Sequence, residues 1–70
     1  MMTQILDIQG MSCDHCARAV RQALSSLEGV RSVQVDLGQN QARLEVDRPL
    51  AEGDLRRAVE KAGYVLAGVR

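Results

Sequence analysis

Cys13 and Cys16 are the two cysteines of the 70-residue chain, and two residues separate them. They lie in the segment GMSCDHCARAV, residues 10 to 20. Thiolates are soft ligands that select Cu(I), zinc or iron–sulfur clusters. A structural zinc site normally takes four protein ligands. Here two cysteines and one histidine, His15, are all that the sequence offers near this point. That shortage favours Cu(I), which two sulfurs can satisfy, in a site open enough to give the ion away. The rival chemistry for a CxxC pair is thiol–disulfide exchange of the thioredoxin type. Proteins of that type usually carry a larger sheet and an aromatic beside the motif. This chain has a different element order and a single aromatic, Tyr64, far from the motif in sequence.

The residues around the pair divide between chemistry and packing. Cys16 falls in the first turn of an expected helix, with Cys13 in the loop before it. The unsatisfied N–H groups and partial positive charge of a helix N-terminus favour thiolate over thiol. Met11 could offer a thioether but is expected to anchor the loop in the core. His15 could be a third ligand or a solvent-facing residue that modulates the thiolates. Asp14 is read as a cap or a partner of the helix dipole. Arg18 and Arg21 fall on the exposed side of the same helix. They form either a solvated face or a docking surface for an acidic partner.

These residues need a scaffold, and hydrophobic periodicity supplies one. Residues 4 to 9 alternate, with Leu6 and Ile8 on one face and Ile5 and Asp7 on the other, as a half-buried strand does. Gly10 ends it. Cys16, Ala19, Val20, Ala23, Leu24 and Leu27 then lay one stripe along a helix. Ser12 or Asp14 is expected to cap its start, and Gly29 suits its left-handed end. Val33, Val35 and Leu37 alternate with polar residues, as do Ala42, Leu44 and Val46. The turn between them spans Gly38 to Gln41, with Gly38 and Asn40 tolerating positive φ, so the two strands form a hairpin. Pro49 breaks the pattern. Leu55, Ala58, Val59 and Ala62 mark a second helix, stopped by Gly63. Its start is weak, because Ala51 offers no cap and Gly53 costs about 1 kcal/mol relative to alanine. Tyr64 to Val69 supply a last, edge strand. The order βαββαβ predicts an α+β, ferredoxin-like sandwich, with a four-stranded antiparallel sheet and both helices on one face.

Composition bounds the function. No linker, low-complexity run or boundary divides residues 1 to 70, so one domain is expected. Nine basic and nine acidic side chains cancel. No strong field draws the chain to nucleic acid, and aromatics do not interleave with basic residues to stack bases. No apolar run approaches the roughly 20 residues of a membrane span, so direct membrane insertion is not expected. The N-terminus has no basic start or long apolar stretch of the secretory kind. The expected compartment is the cytoplasm, where thiols stay reduced.

GMSCDHCARAV, LEGV at residues 27 to 30 and KAGY at residues 61 to 64 closely resemble the heavy-metal-associated domain family. Within it the chain is similar to the free-standing bacterial copper chaperones. The resemblance covers essentially the whole chain, and three separated segments match in order and spacing. It implies that Cys13 and Cys16 bind Cu(I), that the methionine at Met11 packs inward, and that a tyrosine at Tyr64 covers the metal site. It also implies a carrier, not an enzyme, that hands Cu(I) to a similar domain of a copper-transporting P-type ATPase. A detached module of a larger transporter is disfavoured, because Met1 opens just before the first strand and the chain ends just after the fourth. Carriage of another soft metal, such as zinc or mercury, stays open. Zinc and cadmium members often place an acidic residue before the first cysteine, where this chain has Ser12. The chain is expected to be a monomer without metal, and a copper-bridged dimer is one possible loaded form.

Overall fold

The computed structural model describes residues 2–70. Its elements are β1 (Met2–Gln9), α1 (Asp14–Ser25), β2 (Val30–Asp36), β3 (Gln41–Val46), α2 (Glu52–Lys61) and β4 (Val65–Val69). The strands form one antiparallel sheet in the order β2-β3-β1-β4. This is the expected ferredoxin-like sandwich, with β4 at an edge.

The alternation read from the sequence decides which side each strand buries. Leu6, Ile8, Ala42, Leu44, Val46 and Leu66 are buried on the helix side of the sheet, against Val20 and Leu24 of α1 and Leu55, Ala58 and Val59 of α2. Met11 closes the same core at one end. Burying one such aliphatic side chain contributes about 1.5–3 kcal/mol. No polar or charged side chain is buried among the described residues.

The helix ends differ from expectation. The N-cap of α1 is Cys13, in extended conformation (φ −157°), and no side chain caps the helix. Ser12 lies one residue too early, and Asp14 is already inside the first turn, where its charge suits the dipole. At the other end Ser26 is the C-cap. Gly29 is left-handed (φ +95°) but belongs to the turn that follows, closed by the Val30 N–H on the Leu27 carbonyl. In the β2–β3 turn Asn40 takes positive φ (53°) and Gly38 does not. There the Asp36 carboxylate accepts a hydrogen bond from the Gln39 N–H, which holds the turn instead.

Helix α2 has Ala51 at its N-cap position and so no side-chain cap. Glu52 and Asp54 in its first turn offset the dipole, and burial of Leu55, Ala58 and Val59 does the rest. Its end is a Schellman motif. The Gly63 N–H bonds the Glu60 carbonyl, the Tyr64 N–H bonds the Val59 carbonyl at 3.1 Å, and Gly63 is left-handed (φ +98°). Strand β4 then pairs with β1 through a register shift between Asp7 and Ile8. Arg70 completes this seam. Its N–H and carbonyl both pair with Ile5, and its guanidinium meets Asp7 at 2.6 Å. That contact, with help from the Gln41 amide, holds the Asp7 carboxyl below its ordinary value.

Candidate metal centre

The topology brings three chain segments to one end of the sheet. β1 runs out at Gln9, and Gln9 pairs with Val65, the first residue of β4. The 10–13 loop and the turn holding Tyr64 are therefore neighbours. The N-terminus of α1 rises beside them.

Gly10, left-handed at φ +99°, turns the chain as it leaves the strand. Met11 then dives into the core, 5% exposed. With Met11 pinned, Ser12 and Cys13 lie on the surface, and Cys16 follows in the first turn of α1, half-buried. Both cysteines are free thiols, and their sulfurs stand 3.3 Å apart. This is hydrogen-bond range for a thiol and a thiolate.

The Cys16 thiol is lowered from 9.0 to about 6. The largest cause is hydrogen bonding from the Ser12 backbone N–H. The hydroxyl of Tyr64, the thiol of Cys13 and the hydroxyl of Ser12 add to it against a smaller opposing effect of desolvation. Tyr64 is pushed up in return, first because its hydroxyl bonds Cys16 and then by burial and the nearby sulfur charge. At neutral pH Cys16 is a thiolate. Ser12 carried no expected role beyond a cap. Its part depends on the direction of a backbone N–H, which no residue type announces.

The other expected residues are placed as follows. His15 is exposed on the first turn of α1. Among the described residues no group of three or more His, Cys, Asp or Glu side chains could hold a metal ion, so His15 is not brought into a ligand set with the cysteines. Arg18 and Arg21 are exposed on α1, and neither joins an ion pair among the described residues. Arg21 lies roughly 10 Å along the helix axis from its first residue, by the 1.5 Å rise per residue, so Arg18 is the nearer of the two to the cysteines. A surface groove between the helices, lined in part by Ala19, Ala23, Leu50, Ala58 and Ala62, includes neither cysteine. The thiol pair sits on an exposed tip.

A soft two-sulfur tip on this fold defines a class of protein. Residues 5–65 match the heavy-metal-associated domain, and the chain belongs to that family. The copper chaperone CopZ of Staphylococcus haemolyticus is 42% identical over 65 residues, spanning 91% of this chain and 96% of its own length. A solved structure described as a CopZ metallochaperone superposes with a TM-score of 0.86 at 36% identity, covering 94% of this chain and 100% of that one. The crystal structure of a copper-binding domain from HMA7, a P-type ATPase, superposes at 0.84 and 29% identity, covering 100% of this chain and 99% of its own.

Proposed function

We propose that this chain is a cytoplasmic copper chaperone. In this reading Cys13 and Cys16 hold one Cu(I) as cargo and pass it to the metal-binding domain of a copper-transporting P-type ATPase. The observation that carries the reading is the pair of free sulfurs 3.3 Å apart on an exposed helix start, where two soft donors suit a monovalent soft ion better than zinc. The likeness to copper chaperones over 91% of the chain supports it. The likeness to a P-type ATPase copper domain supports a partner of the same fold.

The proposed transfer is a ligand exchange. A thiolate of the acceptor adds to the exposed ion, one bond to Cys13 or Cys16 breaks, and a second acceptor thiolate then displaces the remaining cysteine sulfur. Each protein thiol that ligates gives up its proton, and each thiolate released can take one back. No electron moves. Met11 holds the loop from below, Tyr64 covers the sulfurs, and His15 faces solvent beside them. Arg18 and Arg21 form the surface that meets an acidic acceptor. Without metal the chain is a monomer, and a dimer bridged by Cu(I) is a second loaded form that four thiolates allow.

Cys13→Ser and Cys16→Ser are each expected to lose tight Cu(I) binding in anaerobic competition with a Cu(I) chelator. Either variant competing as well as wild type ends the proposal. Sulfurs this close also suit disulfide chemistry. Insulin reduction at a rate comparable to thioredoxin would favour that alternative.

A further inference from the structure

Two left-handed glycines flank the site, and they are left-handed for different reasons. A Cβ on Gly63 (φ +98°) would meet nothing within 4 Å, so backbone conformation alone accounts for it. A Cβ on Gly10 (φ +99°) would stand 3.3 Å from Cδ1 of the Tyr64 ring. The ring therefore lies on the bare Cα of Gly10. Tyr64 is tied to the site in two further ways. Its backbone N–H is held by the Val59 carbonyl at the end of α2, and the opposed pKa shifts of Tyr64 and Cys16 mark its hydroxyl as a neighbour of that sulfur.

We propose that Gly10 is a positioning residue, whose missing side chain is the seat of the Tyr64 ring and keeps the phenol on the cysteine pair, so that Gly10 governs the release of Cu(I) through Tyr64. The metal consequence rests on the carrier reading above; the seat itself does not. A Cβ at residue 10 would need the ring to give by a few tenths of an ångström, and the hydroxyl would move with it. Gly63 has no such role, since nothing lies where its side chain would be.

The test has a metal-free arm and a metal arm. In the reduced apo protein the Gly10 α-protons are expected to show a ring-current shift in NMR spectra that Tyr64→Leu abolishes. Tyr64 is the chain's single aromatic residue, so tyrosine emission reports its surroundings alone, and Gly10→Ala is expected to change that emission. In the metal arm, Gly10→Ala and Tyr64→Leu change the rate of Cu(I) removal by a chelator in the same direction. Adding Gly10→Ala to Tyr64→Leu is expected to change the rate by no more than about twofold, because one contact cannot be lost twice. Gly29→Ala carries the same backbone strain (φ +95°) away from the site and keeps the wild-type rate. The proposal is overturned if Tyr64→Leu leaves the Gly10 protons unmoved, or if Gly10→Ala keeps its full effect in the Tyr64→Leu background. The ring-current arm decides even where Gly10→Ala does not fold. A wild-type protein that binds no Cu(I) defeats the carrier reading and leaves the seat to that arm.

Discussion

Cys16 is the residue at which the chemistry of the tip concentrates. A backbone N–H, a phenol and a neighbouring thiol converge on its sulfur, so the thiolate persists down to about pH 6. A ligand that is already ionised binds a cation without first losing a proton, and hydrogen bonds to its charged form are what lower the pKa. In reduced, metal-free protein the alkylation rate of Cys16, followed by fragment-ion mass spectrometry, is expected to titrate with a midpoint of about 6. Tyr64→Phe removes one donor and should move that midpoint upward. The linkage has a definite sign. A depressed acid contributes stability above its unfolded value and loses it as pH falls through its folded value. Reduced apo protein is therefore expected to unfold at higher urea above this window than below it, with the difference smaller in Tyr64→Phe. A midpoint unchanged by Tyr64→Phe would remove the phenol from the account. The cysteine spacing was legible because residue type and interval are both written in the chain. The donor from Ser12 and the bare seat at Gly10 were not. They depend on where a backbone group points and on what lies opposite, which only the assembled fold decides.

Among the elements, α1 and α2 show where propensity yields to packing. Neither has a side-chain cap, although cap positions usually hold Ser, Thr, Asp or Asn. At α1 the cap position is occupied by Cys13, so a capping residue there would displace one of the two sulfurs. At α2 no such conflict exists. Ala51 is extended (φ −67°, ψ 140°) and exposed, the backbone a capping aspartate needs. Ala51→Asp is therefore expected to stabilise the protein by about 1 kcal/mol, read as a higher urea midpoint with an unchanged slope. An unchanged midpoint would show that α2 is set by burial alone. Strands are legible in the sequence because alternation specifies a face, and the hairpin and edge strand follow from it. Helix starts are less legible. Ser12 has the residue type of a cap, yet the cap position falls one residue later, at Cys13. The shift between Asp7 and Ile8, where β4 joins β1, left no mark in the hydrophobic pattern.

At the scale of the whole molecule, the charges balance in number but not in place. Among the described residues six ion-pair contacts link Arg31, Arg48, Arg56, Arg57 and Arg70 to nearby carboxylates. Most are exposed and contribute little to stability. Arg18 and Arg21 on α1, like Arg43 and Lys61 elsewhere, make no such contact among the described residues. A positive face beside the sulfurs would steer an acidic acceptor, an effect that salt screens. The double variant Arg18→Glu, Arg21→Glu is expected to slow transfer to an acceptor domain by about tenfold at low salt, with Cu(I) affinity nearly unchanged, in stopped-flow measurements at two ionic strengths. An unchanged rate at low salt would make these arginines a solvated face. Among the described residues every buried side chain is apolar, and the cysteine pair lies at one end of this core, with Cys16 and Tyr64 packed against it.

The claim on which the rest depends is that this tip carries copper through two sulfurs. Native mass spectrometry of the reduced protein, mixed under anaerobic conditions with equimolar Cu(I) and Zn(II), tests it most directly. The account predicts copper and no zinc on the wild-type chain, as one ion per chain or shared between two, and neither metal retained by the Cys13→Ser, Cys16→Ser double variant. Zinc retained in the presence of Cu(I), or copper retained by the double variant, would contradict it.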